Sequence, residues 1–161
     1  MNVLIVFDTV FGSTGKVAQA MGEAIQSKSF VRVIPAADFS ADQLKETDLF
    51  IIGSPTRGFR PTPPIASLLK NVPAELVKGK KVAVFDTRIV LKDIQSGIFR
   101  FIVKTGGFAA DKITRSLKKL GAEQLIQPEG FFVSGDQGSV LNEGELDRAA
   151  KWAEQLIHLI Q

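Results

Sequence analysis

The chain has 161 residues, of which 45% are hydrophobic and 23% are charged, and it contains no cysteine. This length predicts one domain, residues 1–161, with its own core, and the lack of cysteine excludes disulfides, thiolate catalysis and Cys-ligated metals. No apolar run approaches the ~20 residues of a membrane-spanning helix and the first residues lack the basic start of a signal peptide, so we expect a cytoplasmic protein.

The net charge of +3 conceals an uneven distribution of charge along the chain. Residues 49–119 contain 14 basic and four acidic side chains, whereas the flanking segments contain six basic and 13 acidic ones. A basic region of this kind attracts anionic partners. Nucleic acid is not expected among them, because the region has no recognisable motif and its Phe residues alternate as they do in a core.

Apolar runs alternate with helical patterns from one end of the chain to the other. The predicted strands are residues 2–7, 30–34, 48–52, 81–85 and a fifth strand interrupted near Pro128, at 124–126 and 131–133. The predicted helices are residues 14–27, 40–46, 62–70, 108–120 and 143–159. Several strands are apolar on both faces, which is typical of parallel strands covered by helices on both sides. The pattern therefore predicts a doubly wound α/β domain.

In doubly wound sheets, ligands bind beyond the carboxyl ends of the strands, where the strand order reverses. The loops at that edge follow the first, third and fourth strands, at residues 8–15, 53–64 and 86–107. The first loop contains hydroxyl residues and glycines immediately before a predicted helix. Free N–H groups and the helix dipole make such a turn an anion site, although an ordinary turn with helix-capping hydroxyls has the same pattern.

Two common nucleotide-binding motifs are absent from the first loop. A Walker A loop needs glycine where Val10 stands and a hydroxyl where Val17 stands, and Gly12 with Gly15 does not make a Rossmann G-x-G-x-x-G. The only histidine, His158, lies in the last predicted helix, which argues against a Ser–His–Asp triad or a His-ligated metal. What remains is a cradle of neutral donors suited to a terminal phosphate monoester.

Residues 5–14, IVFDTVFGST, resemble the phosphate-binding loop of flavodoxins, which has the form aliphatic-aliphatic-aromatic-x-(Ser/Thr)-x-x-Gly-x-Thr. The resemblance implies a five-stranded parallel sheet in the order 2-1-3-4-5, with helices on both faces, and FMN as the cofactor. The residues that it assigns to the FMN phosphate, through hydroxyls or backbone N–H groups, are Thr9, Val10, Phe11, Gly12, Ser13 and Thr14.

The second loop, GSPTRGFRPTPP at residues 53–64, is similar to the segment that borders the isoalloxazine ring in flavodoxins and related quinone reductases. Prolines stiffen this loop, and glycine permits unusual backbone conformations at Gly58. In the family, a glycine peptide here meets flavin N5. The ring contacts that the resemblance implies are Pro55, Thr56, Arg57, Gly58 and Phe59. The alternative is a rigid turn in which Phe59 only packs against the protein.

The third loop begins with Asp86, Thr87 and Arg88, where flavodoxins commonly place an aromatic residue against the outer flavin face. The chain contains no Tyr, and its only Trp, Trp152, lies in the last predicted helix. We assign these three loop residues to the cofactor site without identifying a stacking ring. The insertion at residues 89–107 is compatible with a lid over the flavin, a homodimer contact, a partner patch or additional core.

The resemblance implies a flavoprotein that transfers electrons between redox partners through FMN, whose potential and access the protein sets. Arg57, Arg60 and Arg88 are expected to stabilise reduced, anionic flavin and so raise its potential. The basic rim from Arg57 to Lys104 favours an acidic redox protein or NAD(P)H as the partner. Two alternatives remain. One is an FMN-dependent NAD(P)H:quinone-type oxidoreductase, although no nicotinamide motif is recognisable, and the other is a flavodoxin-fold interaction protein without flavin.

Overall fold

The computed structural model describes residues 1–90, 97, 101 and 107–161. The strands are β1 (Asn2–Phe7), β2 (Phe30–Pro35), β3 (Leu49–Pro55), β4 (Lys81–Ile89), β5 (Glu123–Gln124), β6 (Glu129–Ser134) and β7 (Val140–Leu141). The α-helices of the described residues are α1 (Ser13–Ile25), α2 (Pro63–Asn71), α3 (Ala74–Val77), α4 (Ala109–Lys119) and α5 (Glu145–Ile160). Short 3₁₀ helices occupy Ala36–Asp38, Ala41–Glu46 and Asp136–Gly138.

The strands form one sheet in the order β2-β1-β3-β4-β6-β7, and the short β5 also pairs with β4. Neighbouring strands are parallel except for β6 and β7, which are antiparallel. Because β5 and β6 both pair with β4, they are the two parts of the fifth strand that was predicted to be interrupted. The predicted order 2-1-3-4-5 is confirmed, and the two-residue β7 is an addition too short for a sequence pattern to indicate.

Each face of the sheet is buried under helices. Val3 and Ile5 of β1 belong to the apolar cluster under α1 and α5, whereas Leu4 and Val6 belong to the cluster under α2 and α4. Successive strand side chains point to opposite faces, so burial of both faces requires apolar residues at every position. Trp152 of α5 lies in the first cluster, where it is 5% exposed and meets the rings of Phe85 and Phe131 edge-on.

The third and fourth strands are longer than predicted. β3 continues through Gly53 to Pro55 and β4 continues through Asp86 and Thr87 to Ile89, with the ladder pairing Ser54 with Asp86 and Pro55 with Thr87. The prediction that residues 53–55 and 86–88 begin loops was therefore wrong. Glycine and polar residues looked like strand ends, but hydrogen bonds and close packing accommodate them inside the sheet.

Gly53 shows how close that packing is. A Cβ at this position would lie 2.1 Å from Cζ of Phe85, so only glycine leaves room for the ring. The ring of Phe85 in turn meets Phe131 at 6.0 Å between centroids. Gly53 is therefore a core residue of the sheet rather than a hinge of the following loop.

Helix starts agree with local chemistry. Pro63 and Pro64 open α2, where a missing N–H costs no hydrogen bond, and the carboxylate of Asp111 accepts from the Phe108 N–H at 2.9 Å before α4.

Predicted helix 40–46 is a 3₁₀ helix instead. In the insertion, Gly97 and Phe101 are helical, and the remaining predictions for residues 91–106 lie outside the described residues. No helix in the described part of the chain is long and apolar enough to cross a membrane.

Candidate functional site

The turn between β1 and α1 presents backbone donors at the start of the helix. Gly12 has a left-handed backbone (φ 95°), its N–H donates to Thr9 Oγ1 at 3.0 Å, and its carbonyl accepts from the Lys16 N–H at 3.0 Å. Within the described residues, the N–H groups of Ser13, Thr14 and Gly15 have no protein acceptor, as expected for a first helical turn. These donors and the positive end of the helix dipole favour a bound anion.

Hydrogen bonds connect this turn to the second and third predicted segments. Thr14 is 1% exposed, and its hydroxyl shares a hydrogen bond of 2.8 Å with the hydroxyl of Thr87 on β4. The carbonyl of Thr87 accepts from the Thr56 N–H at 2.9 Å. Three segments that are distant in the chain therefore meet at the carboxyl edge of the sheet, as predicted.

A cleft that opens to solvent, called the cavity below, adjoins these contacts, and its empty space including the open part is about 370 Å³. The predicted site residues that line it are Thr9, Val10, Phe11, Ser13, Thr14, Pro55, Thr56, Arg57, Thr87 and Arg88. The predicted site residues that do not line it are Gly12, Gly58, Phe59 and Asp86. Val10 and Phe11 are 49% and 48% exposed, which makes one rim of the cavity apolar.

A fourth segment, which the sequence analysis missed, completes the wall. Val133 at the end of β6, followed by Gln137 and Gly138, lines the cavity together with Ile89. Gln137 has a left-handed backbone (φ 51°), which is uncommon for a residue with a side chain. The fifth predicted strand ends at the same carboxyl edge as the others, and glycines follow it, so the rule that located the first three loops also applied to this one.

The second loop contains a tight turn at its tip. Arg57 and Arg60 exchange backbone hydrogen bonds of 2.9 and 3.0 Å around Gly58 and Phe59, which have φ angles of 54° and 65°. Positive φ at both central residues is the pattern of a type I′ turn. Glycine adopts it without strain, whereas it is a rare conformation for phenylalanine. Strain of this kind is concentrated at functional segments of proteins.

Two arginines reach the cavity in different electrostatic settings. The guanidinium of Arg57 lies 5.4 Å from the ring centroid of Phe11, and its Nη2 donates to the neutral Gln137 Oε1 at 3.4 Å. The guanidinium of Arg88 donates to both carboxylate oxygens of Asp86, at 2.6 and 2.9 Å, and lies 3.8 Å from the ring centroid of Phe108. The charge of Arg88 is therefore balanced within the protein.

Asp86 lies beneath the cavity and is completely buried. One of its oxygens also accepts from the Ala110 N–H at 2.9 Å and from Thr56 Oγ1 at 3.3 Å. Loss of solvation on burial raises the pKa of Asp86, and the charge and hydrogen bonds of Arg88 oppose that effect. Asp86 thus connects the third segment with the second loop and α4.

Gly130 on β6 makes room for this ion pair. A Cβ at Gly130 would lie 2.3 Å from Nε of Arg88 and 2.5 Å from its Cζ. Contacts of that length do not occur between unbonded heavy atoms, so a larger residue would displace the guanidinium. The position of Arg88 therefore depends on a glycine more than 40 residues away in the chain.

Comparison with known proteins identifies the family. A family model described as flavodoxin matches residues 5–156. Similar solved structures include a flavodoxin from the domain Archaea, with 20% identity, 100% of both chains covered and a TM-score of 0.76. A Streptococcus pneumonia TIGR4 flavodoxin has 20% identity, covers 98% of this chain and 99% of its own, and has a TM-score of 0.74. Flavodoxin 1 from Bacillus cereus has 15% identity, 98% of both chains covered and a TM-score of 0.73. No curated protein matches the chain.

The residues around the cavity fit FMN chemically. At the start of α1, the hydroxyls and the N–H groups that lack an acceptor in the described part of the chain are suited to a phosphate monoester, and the adjoining cavity combines apolar and polar walls. Among the described residues, no three His, Cys, Asp or Glu side chains are grouped so that they can hold a metal ion. The family model covers nearly the whole chain and agrees with the fold and the loop chemistry. The chain therefore belongs to the flavodoxin family and is an FMN-binding electron-transfer flavoprotein.

Proposed function

We propose that this protein is an electron carrier that holds the FMN phosphate in the turn after β1 and the flavin ring in the adjoining cavity. The observation that carries the proposal is that three predicted segments meet around one cavity, next to N–H groups of Ser13, Thr14 and Gly15 that have no acceptor among the described residues. FMN supplies the electron-accepting ring when it is bound. The protein positions it and sets its potential and its accessibility.

Hydroxyl groups assist the backbone in holding the phosphate. Thr9 Oγ1 accepts from Gly12, so its own hydroxyl hydrogen remains available for a ligand oxygen. Ser13 lines the cavity next to it. Thr14 and Thr87 share one hydrogen bond, which leaves the second hydroxyl hydrogen of the pair for a ligand or another acceptor. The donor set is neutral, and the helix dipole supplies the favourable potential for the anion.

Arg57 is the residue best placed to cover the flavin ring. It contacts Phe11 on one side of the cavity and Gln137 on the other, so a planar ligand that enters competes for these contacts. A guanidinium is planar and stacks on aromatic faces. Arg57 therefore takes the role that the missing Tyr or Trp has in other members of the family.

The three arginines are not expected to raise the reduction potential of the bound flavin by equal amounts. The charge of Arg88 is balanced by Asp86, whereas Arg57 is paired with a neutral amide. A positive charge beside the ring stabilises reduced, anionic flavin more than oxidised, neutral flavin. We therefore assign the increase in potential mainly to Arg57, with a smaller share for Arg60.

The partner that we propose is an acidic redox protein, with NAD(P)H as the second candidate. Both are anionic and match the basic rim, of which Arg57, Arg60 and Arg88 lie in the described part and Lys92, Arg100 and Lys104 lie outside it. The chain has no recognisable nicotinamide motif, which favours a carrier over a reductase. The absence of cysteine supports a cytoplasmic location.

Two measurements test the proposal. Titration of the purified protein with FMN should give saturable binding with a shifted visible spectrum at micromolar concentration, and no binding would overturn it. Rapid mixing of the FMN-loaded protein with NADPH should produce no fast bleaching of the flavin. Fast bleaching would instead identify an FMN-dependent reductase.

A further inference from the structure

The longer helices on the two faces of the sheet differ in charge. On one face of the sheet, α2 and α4 contain five basic side chains and one acidic side chain. On the other face, α1 and α5 contain three basic and four acidic side chains. Net charge alone does not require this difference, since the same residues distributed evenly over the four helices would give the same total.

The basic residues of α4 form a continuous surface. Its apolar side, which includes Ile113 and Leu117, is buried in the core, and Arg115, Lys118 and Lys119 are exposed on the opposite side. Its one acidic residue, Asp111, accepts a hydrogen bond from the Phe108 N–H. The acid therefore serves as the cap of the helix and does little to interrupt the basic surface.

Neighbouring elements extend this surface beyond α4. Gly79 donates to the carbonyl of Gly121 at 2.8 Å, which places the exposed Lys78 beside the end of α4. α2 belongs to the same apolar cluster as α4, and it contributes the exposed Lys70. The residues of what we call the basic helical face are Lys70, Lys78, Lys112, Arg115, Lys118 and Lys119.

α4 begins beside the cavity, and its basic residues lie further along the helix, from Lys112 to Lys119. The Ala109 N–H at the first residue of α4 donates at 2.9 Å to Thr56 Oγ1, and the ring of Phe108 lies under the guanidinium of Arg88. Thr56 and Arg88 both line the cavity. An eleven-residue helix is about 16 Å long. A typical protein interface covers about 800 Å² on each partner, and a compact patch of that area extends further than the length of the helix. A protein seated on α4 therefore reaches the rim of the cavity.

The chemistry of this face favours a protein as the ligand. The exposed large hydrophobic residues of the described chain include none on α2 or α4, whereas helices that bind membrane surfaces insert apolar side chains. The two helices also present no aromatic ring on which a nucleic-acid base can stack. An acidic protein surface needs neither feature and is electrostatically complementary to this one.

We propose that the basic helical face is the docking surface for an acidic protein that exchanges electrons with the flavin. The inference rests on the proposed function and adds the location of the partner, which is the α2 and α4 side of the sheet. In the exchange, one electron leaves the reduced centre of the partner, which is thereby oxidised, and is taken up by the flavin.

The test uses a small acidic [2Fe–2S] ferredoxin as the probe. The reduced ferredoxin is mixed with the FMN-loaded protein, and the second-order rate of electron transfer is measured at several salt concentrations. Lys112→Glu/Arg115→Glu should lower the rate by roughly tenfold or more at low ionic strength and by less at high ionic strength. The matched control, Lys28→Glu/Lys151→Glu, makes the same charge change outside the basic helical face at exposed positions, and it should change the rate less than about twofold.

Each other outcome overturns the proposal. An equal loss in both variants would mean that only net charge matters, and no transfer to the FMN-loaded wild type at low salt would exclude the acidic protein. Binding to anionic vesicles or duplex DNA that is lost in the α4 variant, with unchanged ferredoxin rates, would assign the surface to another ligand.

The flavin and the surface can be tested separately. Calorimetric titration with oxidised ferredoxin measures docking without any need for FMN, and the α4 variant should bind at least roughly tenfold more weakly than the control variant. Failure to bind FMN therefore counts against the proposed function, whereas equal ferredoxin binding by the two variants counts against the docking surface. Circular dichroism and unfolding midpoints check that both variants fold.

Discussion

The end of β4 and the tip of the second loop each bring an arginine to the same cavity, but they hold it differently. Arg88 is paired with a buried carboxylate, and Gly130 makes room for its guanidinium. Arg57 lies on a tight turn with positive φ angles and contacts a neutral amide and an aromatic ring. One arginine is therefore part of the framework of the site, and the other is available to a ligand. Residue type and proximity alone do not reveal how much charge reaches a cofactor.

The largest expected effect comes from removing the anchor of Arg88. Asp86→Ala leaves the largely buried guanidinium of Arg88 unpaired and removes the acceptor of the Ala110 N–H, so we expect a loss of about 3 kcal/mol in the free energy of unfolding. Chemical denaturation measures this loss. The control Asp147→Ala, at an exposed position on α5, should stay within about 0.5 kcal/mol of wild type. Equal stability of the two variants would show that the ion pair is not structural.

A smaller loss in the free energy of unfolding is expected when a side chain at position 130 fills the space that Arg88 occupies. Gly130→Ala places a methyl group where the guanidinium lies, and overpacking of this kind costs about 1–3 kcal/mol. A double-mutant cycle with Arg88→Ala checks the cause. The cost of Gly130→Ala should nearly vanish in the Arg88→Ala background, whereas additive losses would place the strain elsewhere.

Substitutions at Gly58 in the second loop should change stability through the backbone conformation rather than through packing. No atom of the described residues lies within 4 Å of a Cβ added at Gly58, so its substitution tests mainly the left-handed conformation. Gly58→Val should lower the free energy of unfolding by about 1–2 kcal/mol, and Gly58→Asn should cost less because Asn tolerates this region. FMN titrations of both variants should rank in the same order as their stabilities. A more stable Val variant would contradict the turn geometry.

The smallest expected effect is a change in the reduction potential of bound FMN when the charge of Arg57 is removed. Arg57→Gln should lower the reduction potential of bound FMN, by an energy on the order of 1 kcal/mol because the side chain is exposed and screened. Redox titration measures the shift. Removal of the balanced pair in Asp86→Asn/Arg88→Gln, which changes no net charge, should shift the potential less. An unchanged or higher potential in Arg57→Gln would contradict the assignment of the increase in potential to Arg57. The same result in Arg57→Ala/Arg60→Ala would also contradict it.

Most of the fold and much of the cavity wall were predictable, because both depend on local signals. Continuous apolar runs identified β1 and β3 as strands buried on both faces, and the hydroxyl and glycine residues after β1 identified the turn that precedes α1. The extension of β4 through Asp86 was not predictable in the same way. A charged residue indicates a strand end unless its partners are known, and those partners, Arg88 and Ala110, are set by tertiary packing.

Gln137 illustrates a different limit. It joins the cavity because β6 lies next to β4, so that the loop after β6 opens onto the same cavity as the end of β4. Its glycine-containing surroundings looked like any other turn in the sequence, and its meeting with Arg57 spans 80 residues. Proximity of that kind depends on strand order, which a local pattern does not contain.

The sequence by itself determined the order of strands and helices along the chain, the hydroxyl-rich turn from Thr9 to Thr14 and the excess of basic residues in the middle of the chain. Each of these follows from residue types and from spacing over short stretches. Only the tertiary structure decided that Asp86 balances Arg88, that Arg57 faces Gln137, and that α4 begins beside the cavity. The physical reason is that charge balance, close packing and shared surfaces depend on distances between segments far apart in the chain.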